Sequence, residues 1–182
     1  MSEATKQMTP ERRRLDRILK PEFSQGLADM EMDELRRRRN DCLAEREYLS
    51  YLRRLIHGRI EIVGSELQGR GSVAAEGDRA LVEKLAEALS HDSPQGPSRG
   101  EYVRVGLPED EVALARRRLE RLVNDVAIAD PAAMSDSELR EALDALMAEE
   151  REVSEVRRRV LSVHDVFQAE VKRRYKEQLA GS

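Results

Sequence analysis

Two short stretches of the chain carry the same polar residue types at the same spacing. SYLRRLIHGRIE supplies Ser50, Arg53 and Glu61; SEVRRRVLSVHD supplies Ser154, Arg157 and Asp165, with Glu150 one helical turn ahead. At about 100° per residue, offsets of four, seven, eleven and fifteen return to within roughly a quarter turn of the start, so on a helix these residues form one stripe. An Arg fork matches guanine O6 and N7 and clamps phosphate bidentately. A carboxylate accepts the hydrogen bonds that the guanine ring N–H and amino group offer. Such a stripe can read a guanine nucleotide without a Gly-rich loop. The competing reading is a solvated charged face, which a duplicated helix would repeat as readily as a binding surface.

The elements that must carry the stripes are long helices. The first runs from about Met32 to Gln68, interrupted only by Gly58 and Gly64, and Gly69, Gly71 and Ser72 end it. The second starts at Ser135, where Glu138 three residues on completes a capping box, and continues to about Leu179 without Pro or Gly. The two are related: subtracting 50 from 154, or 34 from 138, gives 104. At that offset Glu34-Leu35-Arg36 matches Glu138-Leu139-Arg140, Ala44-Glu45 matches Ala148-Glu149, and Glu66 matches Glu170.

An apolar ladder is shared as well. Leu35, Cys42, Leu49, Ile56 and Val63 stand seven apart, as do Leu139, Leu146, Val153, Val160 and Phe167, the spacing of a coiled-coil seam. Leu52 reinforces the first ladder, and Val156 and Val163 the second. The expected fold is all-α, an antiparallel coiled-coil hairpin with a short N-terminal helix and a partly helical connector. Arg38, Glu45 and Arg59 interrupt the seam where part of it faces another helix. With Leu49 and Val153 at heptad position a, the polar stripe falls mainly at b, e and f, away from the seam and toward solvent or a ligand.

Four segments follow: 1–31 with the short helix, 32–69 and 135–182 as the hairpin helices, and 70–134 as connector. Thr9-Pro10-Glu11 opens the short helix, and Pro21 ends it near Lys20. Leu15, Ile18 and Leu19 lie on one side, and a helix this short needs its own domain or a partner to pack on. In the connector, Asp78 to Leu89 and Pro108 to Val126 read as helices, Ser90 to Gly100 as a Pro/Gly/Ser loop, and Tyr102 to Val105 as a short extended piece.

Composition narrows the function. The 182 residues suit one domain or one helical unit with appendages; 37% are charged and 3% aromatic, with no Trp. The net charge of −4 and the scarcity of stacking rings disfavour direct nucleic-acid binding. Cys42 is the only cysteine, which excludes an intramolecular disulfide and points to a reducing compartment; its place on the ladder reads as a buried thiol. No apolar run approaches the ~20 residues of a membrane span, and the N-terminus lacks a secretory signal, so a cytoplasmic protein is expected. His57, His91 and His164 are scattered, and no metal-ligand spacing appears. No nucleophile–base pair is legible, and no enzyme is read.

At the two stripes the sequence resembles the actinobacterial anti-sigma factor RsiG family, also called the aerial mycelium formation proteins AmfC. That family carries E-x3-S-x2-R-x3-Q-x3-D on each helix of a coiled-coil hairpin. The second copy here reads Glu150, Ser154, Arg157, Leu161 and Asp165, departing at the Gln position. The first reads Arg46, Ser50, Arg53, His57 and Glu61; Ser50 and Arg53 match, Glu61 is conservative, and Arg46 and His57 depart. The resemblance implies that Ser50, Arg53, Glu61, Glu150, Ser154, Arg157 and Asp165 hold a dimer of cyclic di-GMP. It also implies that the loaded hairpin sequesters a WhiG-like sporulation sigma factor, with Leu15, Ile18 and Leu19 as a further partner contact. Losing two or three polar contacts at ~1 kcal/mol or more each would weaken nucleotide binding by tens- to several hundred-fold. Arg46 could instead clamp phosphate. The alternatives are an anti-sigma factor that needs no nucleotide, a coiled-coil scaffold without ligand, and an Arg-rich nucleic-acid binder.

Overall fold

The computed structural model describes residues 10–71, 107–122 and 130–180, with side chains from residue 14 onward. Four helices are seen: α1 (Pro10–Ile18), α2 (Met32–Gly71), α3 (Glu109–Leu122) and α4 (Asp136–Ala180). Single 3-10 turns cover Pro21–Ser24, Leu27–Asp29 and Pro131–Ala133, and no strand occurs among the described residues. Gly26, at φ 68°, separates the first two turns in a left-handed conformation that favours glycine.

The expected hairpin is present. All ten ladder residues, Leu35, Cys42, Leu49, Ile56, Val63, Leu139, Leu146, Val153, Val160 and Phe167, are at most 1% exposed. Burial this complete supplies the stability that helix propensity alone cannot. The capping box starts α4: Ser135 N–H donates to Glu138 Oε2 at 2.8 Å and Glu138 N–H to Ser135 Oγ at 3.4 Å. α2 runs past Gln68 to Gly71, and α1 stops at Ile18 rather than Lys20. The expected helix within Pro108 to Val126 is α3. The segments from Asp78 to Leu89, Ser90 to Gly100 and Tyr102 to Val105 lie outside the described residues.

The chain divides into two compact units, Met1–Tyr48 with Val156–Ser182 and Leu49–Glu155. In the first, Arg36 meets Tyr175 and Arg39 Nη1 donates to Gln168 Oε1 at 3.3 Å. In the second, Arg53 meets Glu150 and Arg70 meets Asp136. Rising numbers on α2 face falling numbers on α4 in each unit, so the helices run antiparallel.

The seam interruptions have structural partners. Within the first unit, Glu45 is 1% exposed and receives Arg14 Nε of α1 at 2.6 Å. Arg38 stacks over the Phe23 ring at 5.3 Å and donates to the Phe23 carbonyl, while Phe23 packs edge-on to Phe167 at 5.5 Å. Ile18 is 1% exposed and Leu15 and Leu19 are half-buried. The inner face of α1 is therefore spent on its own unit, and Ile18 is not presented to a partner in this conformation.

The 104-residue relationship extends into the contacts. Arg14–Glu45 at 2.6 Å has its counterpart in Arg118–Glu149 at 2.7 Å. Arg70 pairs with Glu66 and donates to the carbonyls of Pro131, Ala132 and Met134; Arg174 pairs with Glu170 and donates to those of Leu27, Ala28 and Met30. Each guanidinium satisfies carbonyls of the turn preceding the opposite helix, which would otherwise need water.

Candidate functional site

The stripe residues are positioned by the heptad. Arg53 and Glu150 occupy e positions, which flank the seam, and e positions of antiparallel helices can pair across it. The expectation of a stripe lying away from the seam is corrected for these two: Arg53 is 4% and Glu150 3% exposed. Their long side chains lean over the ladder instead of out to solvent.

In the Leu49–Glu155 unit three groups converge on one oxygen, Glu150 Oε1. Arg53 Nε donates at 2.8 Å, Ser154 Oγ donates at 2.7 Å, and His57 Nε2 lies at 3.2 Å. Arg53 and His57 come from α2, Ser154 and Glu150 from α4, so residues of both stretches meet. Burial pushes the Glu150 carboxyl up, but the hydrogen bonds from His57, Arg53 and Ser154 outweigh it and hold the group at about 2. Glu150 is thus ionised at neutral pH and occupied by its own chain. To engage a ligand phosphate or guanine edge fully, Arg53 must loosen its hold on Glu150.

The remaining residues of the stripe are more open. Ser50 is half-buried and Glu61 exposed on α2; Arg157 is half-buried on α4. The Asp165 side chain is 68% exposed, 3.1 Å from His164 Nδ1. Leu161, at the motif's Gln position, is half-buried, and Arg46, at its first Glu position, pairs with its neighbour Glu47 at 2.7 Å. Arg46 and Arg157 are the 104-offset counterparts of Glu150 and Arg53. The salt bridge of one unit therefore corresponds to two cations in the other.

Other candidates resolve simply. Cys42 is buried, and burial with the nearby Asp41 carboxylate pushes its thiol up to about 12, which leaves no thiolate for chemistry at neutral pH. Among the described residues no group of three or more His, Cys, Asp or Glu is placed to hold a metal ion, and no helix is long and apolar enough to cross a membrane.

Sequence reasoning missed the Arg53–Glu150 pair across the hairpin and the carbonyl clamps of Arg70 and Arg174. It also missed that the repeat reaches α1 and α3: RRRLDRIL, from Arg12 to Leu19, matches RRRLERLV, from Arg116 to Val123. Carrying the 104 offset upstream of the long helices would have found it. The family model described as RsiG-like matches residues 21–89 and 125–181. No curated protein matches the chain.

Proposed function

The chain belongs to the RsiG-like family, and we propose that it is an anti-sigma factor sequestering a WhiG-like sporulation sigma factor under control of cyclic di-GMP. The family supports the anti-sigma role and a sigma factor as partner. The observation that carries the nucleotide reading is the meeting of Arg53, Glu150 and Ser154, residues of both motif copies, on one flank of the hairpin.

In this reading a cyclic di-GMP dimer lies along the stripes. Arg157 and Arg53 contact phosphate or guanine O6 and N7, and Asp165, Glu61 and Glu150 accept guanine N–H bonds. Ser50 and Ser154 contribute shorter hydrogen bonds. Arg46 adds positive charge where the family motif has an acid, so it serves phosphate rather than a guanine N–H. The nucleotide, lying on a shallow surface, leaves negative charge and aromatic area exposed for the sigma factor to cover.

A second reading, sigma binding without nucleotide, is favoured by one observation. Glu150 already takes three hydrogen-bonding groups from its own chain, including His57 at the motif's Gln position. Calorimetric titration of cyclic di-GMP into the protein, with and without the sigma factor, separates the two. Binding that appears or tightens in the complex supports nucleotide control. Absence of binding in both titrations, with the protein complex intact, supports the second reading.

A further inference from the structure

Within the Leu49–Glu155 unit, α3 docks onto α4 through one edge. Ala115 and Leu119 are buried and Arg118 Nε reaches Glu149 Oε1 at 2.7 Å. A helix of 14 residues is marginal alone, and this edge fixes it. The opposite side carries Arg116, Arg117 and Arg121, all exposed. Among the described residues no carboxylate lies within ion-pair distance of these three, in contrast to Arg118. Glu120 is the only acid in the last two turns of the helix.

The same design stands 104 positions earlier. In the other unit α1 docks through Arg14 onto Glu45, its RRRLDRIL sequence matching RRRLERLV of α3. The docking pair is kept in both copies, and so is the run of arginines around it. Arg17, the counterpart of Arg121, is half-exposed and meets Asp41 at 2.7 Å; position 145, the counterpart of 41, is Ala, so Arg121 has no matching acid. Arg116, Arg117 and Arg121 therefore form an exposed cluster of arginines in a protein whose net charge is −4.

We infer that α3 is a partner-binding helix whose outer face, Arg116, Arg117 and Arg121, docks on an acidic surface of the sigma factor. The inference rests on the anti-sigma reading and extends the contact beyond the stripes. Charge complementarity selects the occupant: an exposed cluster of arginines gains most against carboxylates, by bidentate pairing and by steering the encounter. A nucleic acid is the less favoured partner, because α3 carries no aromatic side chain to stack a base and the chain as a whole is acidic.

The test compares sigma-factor affinity of the full-length protein with that of an Arg116→Glu/Arg117→Glu/Arg121→Glu variant across a salt series, with Arg118 unchanged. The Glu variant should bind about ten-fold or more weakly at low salt, with the difference narrowing as salt screens the charges. An Arg116→Gln/Arg117→Gln/Arg121→Gln variant, which removes charge without adding repulsion, should lie between the two and answers the case in which the reversal disturbs folding. Equal affinity for the unmodified protein and the Gln variant overturns the inference while leaving the anti-sigma reading standing. So does unchanged sigma binding combined with loss of binding to a DNA duplex. Failure of the unmodified protein to bind the sigma factor overturns both.

Discussion

Arg53 on α2 and Glu150 on α4 stand 97 positions apart in sequence and meet at 2.8 Å, each side chain 5% exposed. The pair joins the two copies of one polar pattern across the hairpin and removes both charges from water. Desolvation at such a pair is costly, and the further hydrogen bonds that Ser154 and His57 make to Glu150 Oε1 help to offset it.

Breaking that pair from one side should be expensive. Arg53→Ala leaves an ionised, buried carboxylate with fewer donors and is expected to cost about 3–5 kcal/mol. Replacing both partners together, as Arg53→Met with Glu150→Leu, should cost much less. Urea unfolding midpoints check this; a double replacement as damaging as Arg53→Ala would contradict it.

Acid should release the same cluster. Glu150 is held at about 2 in the folded protein against an ordinary 4.5. A folded value below the unfolded one means that the contribution is present above about pH 4.5 and is lost as pH falls toward 2. Site-resolved carboxyl-carbon NMR should place the Glu150 midpoint well below those of exposed glutamates. An ordinary midpoint would mean that the three hydrogen bonds do not persist in solution.

The turn clamps make a separate prediction. Arg70→Ala and Arg174→Ala each remove a guanidinium that holds three carbonyls of a turn, and each is expected to loosen that turn. Amide hydrogen exchange should rise in residues 132–134 for the first variant and 27–30 for the second. Lysine at either position should rescue little, because it lacks the planar fork. Protection unchanged at both turns would show that the clamps are dispensable.

The stripe should respond unevenly to substitution. Asp165 is open to a ligand, while His57 is turned toward Glu150. Asp165→Ala is therefore expected to weaken cyclic di-GMP binding more than His57→Ala does, measured by titration with the sigma factor present. Equal effects would argue that the two copies contribute alike.

Much of this was legible in the sequence, for identifiable reasons. Seven-residue spacing sets the ladder because side chains return to one face; all ten residues at that spacing are buried, whereas the reinforcing Val156 and Val163 are only half-buried. Ser135 and Glu138 announced the start of α4 by residue chemistry alone. What escaped notice depended on the tertiary arrangement. Arg53 reads as a surface residue until α4 supplies Glu150, and Ile18 reads as a partner contact until its own unit covers it. Arg70 and Arg174 find their carbonyls only once the turns at Pro131–Ala133 and Leu27–Asp29 have formed. The motif picks out the stripe residues by type and spacing but carries no information on their packing, which depends on the opposite helix.

Nucleotide control of sigma-factor binding is tested by measuring sigma-factor affinity without and with saturating cyclic di-GMP. If the exposed face of a bound nucleotide dimer is covered by the sigma factor, affinity rises with nucleotide. By reciprocity, the nucleotide binds the complex more tightly than the free protein by the same factor. Equal sigma-factor affinity in the two conditions would contradict the switch and leave a nucleotide-independent anti-sigma factor. No binding of the sigma factor in either condition would contradict the whole account.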